Sequence, residues 1–565
     1  MNWEVKAMKS RISFFNIHVL KKNMTRFAPV WILFAVAEVL CVLSIGTDKP
    51  GQLARDIMHL MGPVAVFHWG YALIVAACLF GDLFDSRLCN GLHAMPMRRE
   101  GWLITNLVSG FLFAIIPAVV AGSVTAVLMG QYAYMALIWQ ATSLLQFFFF
   151  FGLAVFSTMC AGKRLGMIAI YGILNFLSVL IYLVATTIYE PMLYGVVFTN
   201  DWFNLFSPLV KIASHTYLEG SYDKILGFVF LEWHMREWYY LWICAGVGVV
   251  FYGLSFLLYR KRHLETAGDF LSFQPVKIFF LIAYTFGMGT FLYYFSELFG
   301  MDGNYLFLGV GMLIGYFTGW MLLERAVKIF TKKVLVGFAA FAVLFAGSIG
   351  LTIADPLGVQ TYIPAAEKIE SVSLYPTGSS YIYTMQRDYS GWYITDPGEI
   401  ARVQQLHGMM INAPHDKPGN TVVMDVTYRL KNGVEVYRSY EVLAEDVLAE
   451  ELADFLSDVR AIFHTGDWEE LVQNVEEMQV YFDSTDKERQ IVVADQQQAL
   501  LEAIRLDAEA GTMAQPHYLH NNKTVVATIN LCWWQQMIDG QGTRWESVRV
   551  FSDCENTLAF LETLE

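Results

Sequence analysis

Apolar residues fall along this chain in two different patterns. Up to about residue 353 they form long, nearly unbroken runs. Beyond it they alternate or recur at helical spacing. Crossing a bilayer as a helix takes about 20 mostly apolar residues. Nine runs meet that length, near 28–46, 63–81, 103–130, 135–160, 166–188, 239–259, 277–297, 304–323 and 334–353. In the segment 1–27, Met8, Ile12, Phe15 and Val19 recur every three or four positions, with Lys9, Lys21, Lys22 and Arg26 off that stripe. This spacing predicts an amphipathic helix lying along the membrane surface.

The remainder reads as alternating strands and helices. "AEKIESVSLYP" and "SGWYITD" are strand-like, and "PGEIARVQQLHGMMI" is a helix with Asp396 as N-cap and Pro397 in its first turn. "TVVMDVTYRLKNGVEVYRSYEV" is a hairpin turning at Asn432-Gly433, and "AEDVLAEELADFLSDV" is helical. The same order returns in "VEEMQVYFD", "RQIVVAD", "QQQALLEAIRLDAEAG" ended by Gly511, "KTVVATINLCWW", "TRWESVRVFSD" and "ENTLAFLETLE". The expected fold is a polytopic α-helical membrane protein of about nine spans, followed by an α+β domain built as two ββαββα repeats. The expected divisions are an amphipathic helix at 1–27, a six-span core at 28–260, three further spans at 261–353 and an α+β domain at 354–565.

Composition sharpens this division. Of the 565 residues 55% are hydrophobic and 16% charged, against roughly 25% charged in soluble domains. Residues 1–353 hold 24 basic and 18 acidic residues, and residues 354–565 hold 14 and 34. If the N-terminus is cytoplasmic, nine spans place 19 of the 24 basic residues of the first part in inner segments and 5 in outer ones. Such a bias sets orientation and puts the acidic domain outside the cell. An even span count would reverse that placement. A net −20 in this domain argues against nucleic acid as a partner and favours cationic ones, cationic peptides included. The seven cysteines contain no C-x-x-C pair. Cys532 and Cys554 could pair only in an oxidising compartment, and their spacing does not decide it. The first 27 residues are too long, polar and basic for a cleaved signal peptide.

Chemistry-bearing residues are few. Ionisable groups inside spans are costly and mark functional positions by default. Glu38 in the first span and His68 in the second are the candidates for a transport pathway, Glu38 also for a subunit interface or a structural hydrogen bond to a neighbouring helix, and neither has further ligands at metal-binding spacing. The run Phe147–Phe151 reads as lipid or helix contact. The segment Tyr189–Trp238 carries two apolar runs too short to span, and these read either as re-entrant or interfacial helices or as a loop packed on the bundle. No G-x-x-x-x-G-K-[ST] occurs. "AGKRLG", Ala161–Gly166, has Ser157 where the first glycine belongs. The last domain has no H-E-x-x-H or G-x-S-x-G, and His407, His415, His464, His517 and His520 are dispersed.

One segment needs more than topology to explain it. "DSRLCNGLHAMPMRREGW", Asp85–Trp102, joins the second and third spans, with Gly91 and Pro96 interrupting any simple helix. With the basic amphipathic N-terminus, the six spans, the long outer segment before the sixth, and "Arg262-His-Leu-Glu265-Thr-Ala-Gly268" after it, residues 1–260 and their flank resemble the permease subunit of an ABC transporter of the ABC-2 (type V exporter-like) class. The last domain is similar to a domain of unknown function appended to some such permeases of Gram-positive bacteria. The resemblance implies that residues 85–101 dock on a separate cytosolic ATPase, with Arg87, Asn90, His93, Pro96, Arg98, Arg99, Glu265 and Gly268 in the coupling surface. It implies a permease dimer, with itself or a relative, in the cell membrane. It implies further that this chain is a transport subunit without enzymatic activity or a cofactor of its own, ATP and magnesium being held by the partner. Export of a hydrophobic or amphipathic compound, an antimicrobial peptide or lipid-like molecule, is the expected task. A membrane-anchored sensor with an extracytoplasmic ligand-binding domain is the other reading the residues allow.

Overall fold

The computed structural model describes residues 15–45, 50–94, 98–199, 206–216, 218–223, 229–262, 266–301, 305–377, 393–413, 421–443, 447–456, 458, 460, 468–482, 487–491, 494–513, 524–537 and 540–563. It divides into two units. The first comprises residues up to Thr187 together with Asn200–Leu344, and the second Ile188–Thr199 with Phe345–Glu565.

The first unit is mostly helical. α1 (Ile17–Arg26) meets α2 (Ala28–Leu43) at a 59° bend, and α3 (Pro50–His59) precedes α4 (Ala65–Leu79). α5 (Ser86–Ala94) is short, whereas α6 (Arg99–Met129), α7 (Ala133–Cys160) and α8 (Arg164–Val184) are long. Then come α9 (Pro208–His215), the antiparallel pair β1 (Leu218–Asp223) and β2 (Val229–Met235), and the helices α10 (Trp238–Lys261), α11 (Gln274–Glu297) and α12 (Tyr305–Glu324). α13 (Lys332–Ala354) runs from the first unit into the second.

Among the described residues six apolar segments are long enough to cross a membrane: Arg99–Cys160, Arg164–Met192, Trp238–Lys261, Gln274–Glu297, Tyr305–Glu324 and Lys332–Ala354. The bent pair α1–α2 would add a seventh. The chain is thus a membrane protein by the length and apolar character of its helices. Arg99–Cys160 is two helices folded back on each other, since Gly110 packs on Phe151 and Gly122 on Gln140. α4, with 15 residues, rises only about 22 Å.

α7 is the central helix of the bundle, packed on α4, α6, α8 and α10. Its phenylalanine run makes helix contacts: Phe147, Phe149, Phe150 and Phe151 are buried, and Phe148 stacks on Phe111 at 5.5 Å. α11 and α12 pack through small residues. Gly311, Gly315 and Gly319 lie every fourth position along α12, and a methyl group at Gly311 would come within 2.5 Å of the Met288 carbonyl. Such stripes let membrane helices approach closely.

One expectation gains detail here and another changes. α1 is anchored by a polar group, because Asn23 is buried and its Nδ2 donates to Asn106 Oδ1 (2.7 Å) and Ser109 Oγ (3.0 Å) on α6. Met8 and Ile12 lie outside the described residues. The second short apolar run before α10 contains a strand, not a helix. Its β-branched and aromatic residues, "VFLEWHM", pair antiparallel with β1.

The second unit is α+β. β3 (Ile369–Thr377), α14 (Pro397–Asn412), β4 (Thr421–Leu430), β5 (Glu435–Leu443) and α15 (Val447–Leu456) form one half. α16 (Trp468–Asn474), β6 (Val475–Phe482), β7 (Lys487–Gln490), α17 (Ala494–Glu509), β8 (Val525–Met537), β9 (Gly540–Phe551) and α18 (Glu555–Glu562) form the other. The first sheet runs β3-β4-β5, with Ile394 bridged antiparallel to Val372 of β3. The second runs β7-β6-β8-β9. β4 buries every second residue, Val422 to Leu430, against Val403, Leu406 and Met410 of α14. The Asp396 cap forms as expected, its Oδ2 accepting from the Gly398 and Glu399 amides at 2.8 and 3.0 Å. Gly433 takes φ +79° in the hairpin turn. Asp507, buried on α17, caps α18: its carboxylate accepts from the Asn556 amide (3.0 Å), Asn556 Nδ2 (2.8 Å) and the Thr557 amide (2.7 Å). Cys532 and Cys554 are both buried and are not joined in a disulfide.

Ile188–Thr199 belongs to this unit because it continues the first sheet. Val196 bridges Arg438 of β5, and the Ser439 amide donates to Gly195 O at 3.1 Å. Gly195 sits at φ +72° against the ring of Tyr440, where no side chain fits.

Candidate functional site

Two groups of side chains in the first unit carry chemistry. The first is its basic end, built around α5. Asp85 starts this helix, Oδ1 accepting from the amides of Arg87 (2.8 Å) and Leu88 (3.1 Å). Capping a short helix this way satisfies donors that a nine-residue element cannot satisfy alone. Arg87, Leu88, Asn90 and Gly91 are exposed, and Cys89 is buried. Arg98 is exposed and Arg99 half-buried at the start of α6. The side chain of His93, and Pro96 and Glu265, lie outside the described residues.

The turn that leads into α5 is braced by Arg262. Arg260 and Lys261 point outward, but Arg262 is 5% exposed, and its Nη1 donates to Thr158 O (3.0 Å) and Nη2 to Leu83 O (3.1 Å). One guanidinium thus ties the end of α7 to the turn that leads into α5. Burial pulls its pKa below the ordinary value, with the nearby Cys89 thiol next in effect, in the opposite direction. The chain after Arg262 then pairs with the α7–α8 turn. Gly268 N donates to Gly162 O and Ser272 N to Cys160 O, both at 2.8 Å. Gly268 has φ +96°, and Gly162 and Gly166 leave no room for a side chain against the backbone of Thr266 and Phe270. Arg325, after α12, closes the platform by donating to Gly268 O (2.6 Å) and Asp269 Oδ1 (2.9 Å). Gly268 therefore joins the basic end as a turn residue, without a side chain to present.

The second group is buried elsewhere and does not meet the first. Glu38 of α2, His68 of α4 and Gln146 of α7 are 6%, 2% and 1% exposed. Gln146 Nε2 donates to Met61 O at 2.9 Å, which leaves its Oε1 facing His68 Nδ1 at 2.8 Å. That nitrogen must therefore carry a proton. His68 Nε2 lies 3.2 Å from Glu38 Oε1. A single further proton serves this contact, held by either the imidazole or the carboxyl, so the pair is neutral overall. Neutrality and a full set of partners for His68 offset most of the cost of ionisable groups at such depth. Glu38 Oε2 has no hydrogen-bond partner among the described residues.

Sequence reasoning reached Glu38 and His68 but not Gln146, whose only signal is a lone amide ahead of five phenylalanines. Arg262, which the sequence places only at the head of the motif after the sixth span, is buried, whereas Arg260 and Lys261 before it are exposed. Comparison with family models, curated proteins and solved structures finds no match to this chain.

Proposed function

We propose that this chain is the membrane subunit of an ATP-driven transporter of the ABC-2 type, acting as a dimer on a separate cytosolic ATPase. The observation that carries the reading is the mounting of α5. A short helix exposes Arg87, Leu88 and Asn90 while its base is fastened by a buried arginine to the end of the central helix. Force applied to such a helix passes into α7 through hydrogen bonds rather than being lost in a loose loop. In this reading α2, α4, α6, α7, α8, α10, α11, α12 and α13 all cross the membrane, the basic end is cytoplasmic, and the acidic unit lies outside. The matching strand orders, Ile394-β3-β4-β5 and β7-β6-β8-β9, favour a duplicated ββαββα unit there. Closure of the ATPases on ATP pushes α5, and the bundle exports a hydrophobic or amphipathic compound.

The test is affinity purification of the full chain from its native membrane in mild detergent, beside a variant with Arg87, Pro96, Arg98 and Arg99 changed to Ala. An ATPase that accompanies the wild type and is lost from the folded variant is the expected result. Absence of any ATPase from the wild type overturns the proposal and turns attention to the acidic unit as a sensor.

A further inference from the structure

Beside Glu38 the bundle encloses a cavity of about 40 Å³, and Glu38 is the acidic residue among those lining it. The aromatic rings of Phe34, Phe67 and Trp139 make up much of the wall, and Cys41 also lines it. Trp139 is buried, whereas Phe67 is 65% exposed on the apolar surface and stands at the mouth. The Glu38 oxygen not engaged by His68 is buried and lacks a partner among the described residues. A carboxylate with a vacant acceptor, in a cavity lined by aromatic rings, is an environment that favours an organic cation over water or a neutral group.

Size narrows the choice. A water molecule occupies roughly 10–15 Å³ of such space, so the cavity admits an ammonium group and the carbon that bears it. A trimethylammonium group is too large. Glu38 lies five residues from the end of α2 and His68 three from the start of α4, so the site is within about 8 Å of the end of each helix. The tail of the ligand therefore leaves past Phe67 into the apolar surroundings. We infer that this cavity binds the primary ammonium group of an amphipathic amine, with Glu38 as its counter-ion. On binding, the ammonium donates to the Glu38 oxygen that His68 does not engage, and the proton between His68 and Glu38 stays in place while His68 keeps its Nδ1 hydrogen on Gln146. The inference deepens the transport reading by naming the group a carried compound bears, and rests on that reading only for the compound's fate.

The experiment is calorimetric titration of the full chain in nanodiscs of phosphatidylcholine and phosphatidylglycerol, without ATPase. The probes are hexylammonium, hexyltrimethylammonium and hexanol. Saturable one-to-one binding of hexylammonium is expected, at least tenfold tighter than either other probe. Glu38→Gln, checked for folding by its elution and by unchanged thermal unfolding, should weaken it at least tenfold. Phe67→Ala, at an exposed position that folding does not depend on, should weaken it about threefold. Equal binding of hexanol, undiminished binding by Glu38→Gln, or no saturable heat overturns the inference. Adding phosphatidylethanolamine to the nanodisc separates two sources. Loss of hexylammonium binding assigns the site to a lipid headgroup, and retention assigns it to a free amine. Because no ATPase is present, failure here leaves the coupling proposal standing, and a failed purification leaves this one standing.

Discussion

His407 should make the second unit lose stability in mild acid. Its imidazole is fully buried on α14 between two tyrosines, Nδ1 at 2.9 Å from Tyr428 Oη and Nε2 at 2.8 Å from Tyr440 Oη. A neutral ring satisfies both contacts, donating to one hydroxyl and accepting from the other. Protonation would place a charge in the core beside the guanidinium of Arg438, itself buried and donating to Tyr437 O and Val359 O at 3.0 Å. Burial first, and Arg438 second, hold the His407 pKa down to about 4, from an ordinary 6.5. Because the unfolded chain binds the proton more readily, the stability is fully present above pH 6.5 and is lost as pH falls from there toward 4. Between pH 7 and pH 5 the loss from this residue comes to about 2 kcal/mol. The assay is hydrogen exchange on β4 of the full chain, corrected for intrinsic rates, with wild type and His407→Gln compared at the two pH values. Glutamine can still donate and accept but does not titrate, so its pH-dependent loss should be smaller by about 2 kcal/mol. Equal losses in the two proteins would refute the argument.

Arg262→Met should destabilise the first unit by about 3 kcal/mol, through the loss of two hydrogen bonds from a charged donor. It should also weaken ATPase capture, with Arg262→Lys recovering part of both. Arg260→Met, at a 61% exposed side chain, should cost under about 1 kcal/mol in the same denaturation series. Asp507→Ala should lower the unfolding midpoint of the second unit by an amount equivalent to about 2–3 kcal/mol, because three donors at the start of α18 lose their acceptor. For topology, a reporter cysteine replacing exposed Lys431 in a background without native cysteines should react with an impermeant maleimide in intact cells. Labelling only after lysis refutes the outward placement.

The elements visible in the sequence are those whose cause is local. Twenty apolar residues in a row, Asp396 ahead of Pro397, and Asn432-Gly433 between alternating strands each carry their structural reason within a few positions. Arg262 shows where that ends. It stands in a basic triplet that the positive-inside rule explains completely, yet it is buried by carbonyls at Thr158 and Leu83, far away in the chain. Gln146 sits in a run so apolar that its amide passes for an accident, until α4 brings His68 beside it. His407 was one of five scattered histidines. Its role depends on Tyr428 and Tyr440 facing the same side of two paired strands, which follows from their register and not from spacing to His407.

The same long-range dependence bears on how the second unit should be probed. Deleting residues 355–565 is the obvious way to ask whether that unit matters, but it does more than remove a domain. Ile188–Thr199, far earlier in the chain, folds as part of the same unit. The Tyr194 amide donates to Gln360 Oε1 at 3.0 Å, its ring packs edge-on against Tyr440 at 5.4 Å, and Gly195 O accepts from Ser439. Deletion strips those partners from a segment that continues directly from α8, so a loss of activity would report the orphaned segment as readily as the missing domain. A point change inside the acidic unit that leaves the Val196–Arg438 pairing intact separates the two. His407→Gln meets that condition, since His407 bonds the tyrosine hydroxyls and not the strand backbone. If the unit works only as a folded anchor for Ile188–Thr199, His407→Gln should leave function unchanged at pH 7, where its stability term is full.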